Sequence, residues 1–329
     1  MTSREIIQRV IHFEDPPRVG MYFAQFGIDD TVDIFDFCLR DEHGVDPWGN
    51  RWTVHPDVPS HGQVKQHPVE TLDDIAKLTP PDPEYFGEQV RMAVEELTPE
   101  QRDKYRFIAT SFGIWEIPQY LRGMARLMED MVVQPEMVDA LASYCVDFWV
   151  AFLQQIAPLQ DEIDAIWMFD DWGTQNALMI SRPMWRRFYA GQYRRLTNAA
   201  HELGMDFWLH SCGRVTDLIE DFIKVGIDLL NPTQTKTCGY EEVAERYAGR
   251  ISFLASVESQ STLTRGTPEE CRVEAELLAK WGTEHGGLMA CGYGYQSREE
   301  NQRAVFDYFM ETSVLPSGLT KMLGREQGE

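Results

Sequence analysis

With 329 residues, 43% of them hydrophobic, the chain can bury a sizeable core as one large α/β domain or as two smaller ones. Its 53 acidic against 30 basic side chains leave a net charge of −23, which repels phosphate backbones and anionic bilayers and sets aside nucleic acid and membranes as partners. No window has the apolar length of a signal peptide or a membrane span, so the expected location is the cytoplasm, and six scattered cysteines fit reduced thiols or metal ligands better than a disulfide framework.

In chain order, Ile6, Ile7, Val10 and Ile11 recur at helical spacing behind a Thr2/Ser3 cap with Glu5 close by, which predicts a short amphipathic helix over Ser3 to Phe13. The run Val19 to Ala24 reads as a buried strand. Residues 29 to 81 are rich in Asp, His, Pro and Trp and read as a loop-rich insertion with a short hairpin around 41 to 52, of the kind that serves as a lid or partner surface. From Pro83 onward strand and helix alternate. Strands are predicted at Phe107 to Phe112, Ala165 to Phe169, Asp206 to His210, Ile227 to Leu230, Ile251 to Ser256 and Gly287 to Cys291. Helices are predicted at Ile117 to Met128, Pro135 to Ile156, Arg182 to Leu203, Val215 to Lys224, Tyr240 to Ala248, Pro268 to His285 and Ser297 to Glu311. Short apolar strands separated by amphipathic helices are the pattern of parallel βαβ units. The economical reading is an α/β protein, one closed TIM (β/α)8 barrel spanning 1–329 with a loop-rich N-terminal insertion. Seven strands are clear, and the eighth falls within 29 to 81 or near Phe35. A doubly wound sheet is the alternative, weakened because no Gly-rich phosphate loop follows the first strand.

Chemistry in such a barrel sits at the C-terminal strand ends, and here those ends carry Asp170-Asp171, His210 with Cys212, Asn231, Gln234, Glu258, Gln260 and Cys291. Residues at i and i+2 of a strand leave the same face, so His210 and Cys212 point together where their strand opens into a loop. With Cys291 from another strand end they make a His/Cys/Cys set that suits Zn²⁺ and leaves one coordination position open. Glu258 is the expected fourth, displaceable ligand, with a role in orienting ligands as the competing reading. Asp170 and Asp171 are adjacent and face opposite ways, so one caps or orients while the other meets the cavity. Cys38, Cys145 and Cys271 read as small buried hydrophobes, and Cys238 as a weaker candidate for the mouth. Trp172 and the tyrosines of Gly292-Tyr-Gly-Tyr295 lie past strand ends, where an aromatic pocket would form.

The stretch His210-Ser-Cys-Gly-Arg-Val-Thr-Asp-Leu-Ile219, together with Asp170-Asp-Trp-Gly-Thr-Gln175 and Gly266-Thr-Pro-Glu-Glu270, resembles the uroporphyrinogen decarboxylase superfamily, and the likeness runs from Arg4 to about Phe309. The resemblance implies a TIM barrel. The H-x-C motif with a distant cysteine is similar to the zinc-dependent branch that works with corrinoid proteins: methylcobalamin:coenzyme M methyltransferases and the methyltransferase components of O-demethylases. It implies zinc on His210, Cys212 and Cys291, a cobalamin carried by a corrinoid-binding protein, and a small-molecule methyl donor; a homodimer is compatible with it. The decarboxylases of the superfamily carry an N-terminal R-x-A-G-R motif that grips substrate carboxylates. Here the first strand reads Met21-Tyr-Phe-Ala-Gln-Phe-Gly27, without arginine, which argues against a polycarboxylate substrate. The expected reaction is methyl transfer from an O-methyl, methoxyaromatic compound to cob(I)alamin, with Asp170, Asp171 and Glu258 assisting. Transfer from methylcorrinoid to a thiol is the alternative, and a metal-free lyase or a non-catalytic zinc scaffold are the rivals.

Overall fold

A computed structural model of the chain describes residues 1–37, 44–55, 58–110, 112–292, 294 and 296–312. Eight parallel strands form its frame: β1 Gly20–Phe23, β2 Thr31–Asp36, β3 Tyr105–Ala109, β4 Ala165–Phe169, β5 Asp206–Ser211, β6 Leu229–Pro232, β7 Ser252–Ala255 and β8 Leu288–Cys291. They pair in the order β1-β8-β7-β6-β5-β4-β3-β2. The two-residue segment Ile28–Asp29 folds back antiparallel on β1. Between β1 and β2 the ring is completed by Asp30, whose N–H donates to the Met21 carbonyl at 2.9 Å and whose carboxylate accepts the Met21 N–H at 2.8 Å. That carboxylate is buried and held by the equally buried Arg18 guanidinium, so the seam closes on a paired charge. The (β/α)8 barrel read from the alternation is the fold observed, and the strand missing from the sequence count is β2, around Phe35.

The strands alternate as a barrel requires. Phe107, Trp167, Trp208, Leu229, Leu254 and Met289 point inward and fill the lower interior. The N-terminal helix Ser3–His12 plugs that end with Ile6, Ile7, Val10 and Ile11, each burial contributing roughly 1.5–3 kcal/mol. Its start is fixed by a reciprocal cap between Thr2 and Glu5. The next inward positions toward the C-terminal end are Phe169, His210, Asn231 and Cys291, so the alternation that packs the core also aims polar groups at the mouth.

The outer helices follow the expected periodicity with two interruptions. The helix read over 117 to 128 is two, Glu116–Arg122 and Met124–Val133, broken at Gly123 with φ 88°, and the long helix after Arg182 divides into Arg182–Phe188 and Ala190–His201. The buried face continues through both breaks, so periodicity alone does not register them. The helix Pro135–Ile156 runs on to Leu159 with a mean hydropathy of 1.2, long and apolar enough to cross a membrane by composition alone. Here it is a core helix: Phe148, Trp149 and Phe152 pack with Phe37 in one aromatic cluster. In the N-terminal insertion the turns expected around 41 to 52 include a short antiparallel bridge from Val45 to Arg51, and a longer hairpin follows at Trp52–His55 and Val58–Val64. Trp52 stacks on Phe112 (5.3 Å) and meets Tyr120 edge-on (4.7 Å), so the hairpin rests on the exit of β3, on the mouth side of the barrel.

Candidate metal centre at the barrel mouth

The loops after β4 and β5 run side by side in backbone contact. Asp170 N–H donates to His210 O, Gly173 N–H to Cys212 O and Arg214 N–H to Thr174 O, at 3.0, 3.1 and 2.8 Å. This approach requires glycine twice. A Cβ at Gly213, whose φ is 80°, would stand 2.3 Å from Gly173, and one at Gly173 would meet the Cys212 carbonyl at 2.7 Å. The loop pair fixes where the next three side chains go.

His210 is 11% exposed, and its Nδ1 lies 2.7 Å from Asn231 Oδ1. The Asn231 amide is oriented by its own N–H donation to the Leu254 carbonyl at 2.6 Å, so its oxygen faces the imidazole. Nδ1 must then carry the proton, and Nε2 keeps a lone pair. That lone pair points to Cys212 Sγ at 3.4 Å and to Asp171 Oδ1 at 3.6 Å. Asp171 is fixed in turn by accepting the Cys212 N–H at 2.7 Å. Among the described residues, Asp171, His210 and Cys212 form the group whose ligand atoms all lie within 4.8 Å of one another.

Burial and mutual repulsion favour the protonated forms of the acids and thiol around the group. Burial and the Asp171 charge push the Cys212 thiol up to about 12. Burial, with the Asp171 and Asp170 charges, lifts the Glu116 carboxyl well above the usual carboxylate range, and its partner is the Tyr120 hydroxyl. Burial raises Asp170 to about 7 despite bonds from Tyr193 and the Glu116 and Trp115 N–H groups. Among the described residues, neither lysine nor arginine pairs with Asp170, Asp171 or Glu116. An imidazole with a fixed lone pair, a thiol that ionises only with help, and a carboxylate make a donor set that fits a divalent metal of zinc's preferences.

The other residues expected at the site are placed differently. Asp170 is fully buried and turned from the cavity: it accepts the Trp115 and Glu116 N–H groups at 3.0 and 3.1 Å and the Tyr193 hydroxyl at 2.5 Å, locking the loop after β3. Glu258 stands outside the ligand group because its carboxylate is taken by the Lys236 and Gln260 N–H groups, both at 3.1 Å. Cys291 also lies outside the group, on β8, three strands round the barrel from β5, where it is 4% exposed and packs with the interior layer. Of the expected set, His210 and Cys212 come together, with Asp171 beside them, while Cys291 and Glu258 stand outside that group. Cys238 is in the core, its thiol donating to the Gly213 carbonyl, while Cys145 and Cys271 are buried in helices; Cys38 lies outside the described residues. Trp172 is not a cavity wall: it is buried between Trp115 (5.2 Å) and Tyr189 (4.7 Å). Tyr293 and Tyr295 lie outside the described residues.

A cavity of about 870 Å³ opens beside the group, lined by Phe169, His210, Cys212, Thr233, Gln234, Ser259, Gln260, Thr264, Arg265, Gly294 and Gln296. Phe169 lies against the His210 ring at 4.7 Å and supplies its aromatic face. The rest of the wall is mainly neutral and polar.

The sequence profile described as uroporphyrinogen decarboxylase (URO-D) matches residues 54–312, most of the barrel and the whole ligand group. The chain belongs to the uroporphyrinogen decarboxylase family. Two kinds of family relative are similar to it at comparable distance. The methylcobamide:CoM methyltransferase MtbA of Methanosarcina mazei is 21% identical over 243 residues, covering 73% of this chain and 68% of that one. The uroporphyrinogen decarboxylase of Alkalilimnicola ehrlichii is 25% identical over 244 residues, covering 72% and 65%. Among solved structures, a methyltransferase from M. mazei superposes with a TM-score of 0.60 at 16% identity, covering 80% of this chain and 76% of that one, which supports the barrel fold. Sequence reasoning did not single out Glu116, although it follows the end of β3 closely enough that the rule of strand ends would have found it. Arg265 was missed as well, because it ends a four-residue helix, Thr262–Arg265, beyond β7 with no motif of its own.

Proposed function

We propose that the chain is a metal-dependent methyltransferase that moves a methyl group from a small O-methyl compound to the cob(I)alamin of a corrinoid-binding protein. The observation that carries this reading is the convergence of His210 Nε2, Cys212 Sγ and Asp171 beside an open cavity. The similarity to methylcobamide:CoM methyltransferase MtbA supports the corrinoid partner. His210, Cys212 and Asp171 would hold zinc, with Cys291 on β8 as a further thiol candidate. Bound there, zinc supplies Lewis acidity toward an ether oxygen. The carboxylate oxygen beside the thiol supports an oxygen ligand in the substrate over a sulfur one.

The chain's own groups have separable tasks. Asn231 holds the His210 tautomer, and Phe169 offers a face for the substrate body. Asp170 and Glu258 position the loops after β3 and β6 rather than touching the reacting atoms. The methyl carbon passes to reduced cobalt as its bond to oxygen breaks, and the departing oxygen keeps the electron pair. In an anaerobic mixture of protein, free cob(I)alamin and a methoxyaromatic compound, the methylcobalamin absorbance should grow. It should stop growing after chelation and return with added zinc. Turnover indifferent to chelation and to Cys212→Ser would overturn the zinc mechanism. Methylation of a thiol by methylcobalamin, with no ether cleavage, would reverse the direction of transfer.

A further inference from the structure

Arg265 is set apart by its place at the cavity, since Arg9, Arg194 and Arg303 likewise form no ion pair among the described residues. With 53 acidic side chains against 30 basic ones, an arginine has an excess of acids to pair with. Arg4, Arg18, Arg106, Arg122, Arg214 and Arg272 all do so. Arg265 forms no ion pair among the described residues. Its guanidinium makes one bond, from Nη2 to the Gln260 carbonyl at 2.7 Å, which anchors the fork and leaves most of its five N–H donors free. It lines the same cavity as His210 and Cys212 and is the only lysine or arginine among that cavity's described lining residues. Thr233, Gln234, Ser259, Gln260, Thr264 and Gln296, the polar side chains beside it, are all uncharged, so no wall carboxylate among the described residues competes for it.

A planar fork held by one carbonyl, facing a neutral polar cavity, is a receptor for a carboxylate or sulfonate. We infer that the small molecule taken by this site is an anion, with its oxyanion on Arg265 and its reacting methyl group toward His210, Cys212 and Asp171. The inference rests on the proposed function for the reacting end alone; recognition of the charged end stands on the cavity itself. It also fits the first strand, where the decarboxylase arginines are missing: one cation suits a singly charged molecule and not a polycarboxylate.

Binding separates this from catalysis. Isothermal titration of 4-methoxybenzoate and of the uncharged 4-methoxybenzamide, into the wild-type protein and into Arg265→Gln, should show the benzoate bound about ten- to a hundredfold more tightly by the wild type, with that preference gone in the variant. Arg265→Lys should keep part of it, because the charge remains and the fork is lost. Arg265 is exposed, and an unchanged melting temperature would certify the fold of both variants. Equal affinity for the two compounds in the wild type, no binding of either, or a preference that survives Arg265→Gln would overturn the inference. Charge-selective binding without methyl transfer to cob(I)alamin would leave it standing and remove the methyltransferase reading instead.

Discussion

The two ends of the barrel treat their carboxylates in opposite ways. At the N-terminal end the buried acids and the half-buried Asp228 each meet a base: Asp164 has Arg4 at 2.7 Å and Arg106 at 3.3 Å, Asp30 has Arg18, Asp206 has His12 at 3.2 Å, and Asp228 has His201 at 2.7 Å. At the mouth Asp170, Asp171 and Glu116 gather around Cys212 with backbone N–H groups, hydroxyls and one imidazole, and no lysine or arginine pairs with them among the described residues. The buried acids of the closed end thus have basic partners that Asp170, Asp171 and Glu116 lack. This division separates a plate that stabilises the barrel from a mouth whose acids are relieved either by holding protons or by a bound cation.

The sharpest way to break that contrast is to remove a mouth ligand. His210→Ala or Cys212→Ser should reduce zinc, measured by elemental analysis, from about one per chain to near none, and methyl transfer by orders of magnitude, with little loss of stability in the metal-free state. Asp171→Asn and Cys291→Ser, run in parallel, rank the two further candidates. If Cys291→Ser loses the metal and Asp171→Asn keeps it, the ligand set crosses the barrel and Asp171 serves only to orient Cys212. Next in size is the opposite experiment. Arg106 is 3% exposed beside Asp164 at 4%, so Arg106→Met removes one of that carboxylate's two basic partners, with Arg4 remaining, and should cost about 1.5–3 kcal/mol in denaturant unfolding. Zinc content should not change. A variant that lost both would show that the plate and the mouth are one cooperative structure and not two devices.

What the sequence made legible follows the range of the forces involved. The pairing of His210 with Cys212 is set by strand periodicity, a local property, and it is visible without a structure. That Asp170 and Asp171 diverge is equally local, but which one turns inward is decided by Trp115, Glu116 and Tyr193, residues over 20 positions away. Glu258 sits at a strand end as the barrel rule requires, yet two neighbouring backbone N–H groups capture its carboxylate, a competition that spacing does not reveal. Trp172 lies past a strand end, but stacking on Trp115 buries it. The strand hardest to read, β2, has a ladder partner on one side only and exposes Asp33 and Asp36, so its sequence lacks the continuous apolar run of its neighbours.

A smaller effect tests how the mouth is kept in order. Asn231→Leu removes the acceptor that fixes the His210 tautomer while preserving most of the side-chain volume. Metal affinity, titrated against a competing chelator, should fall about ten- to a hundredfold with the ligands themselves untouched. Unchanged affinity would mean that the loop contacts at Gly173 and Gly213 orient the imidazole without help.

The smallest effect belongs to the closed end. Hydrogen bonds to Asp206 and Asp228 raise His12 and His201 above the ordinary imidazole value of 6.5, with burial working the other way and acidic neighbours reinforcing the rise. A raised native pKa means that the native state holds its proton to higher pH than the unfolded chain does. The stabilisation is therefore whole below pH 6.5 and is lost as pH rises through the native values. At 47% and 38% exposure both rings are screened by water, so the two together should contribute no more than about 1–2 kcal/mol. Thermal melts of metal-stripped protein should show Tm falling by a few degrees between pH 6 and pH 8.5, and the double variant His12→Gln, His201→Gln should lessen that slope, leaving the share that the raised Asp170 and Glu116 carboxyls add in the same direction. Stripping the metal matters because ligand deprotonation at the mouth drives stability the other way, upward with pH, once zinc is present. If the slope persists undiminished in the double variant, the titrating groups are at the mouth after all, and the closed end is not the source of the pH dependence.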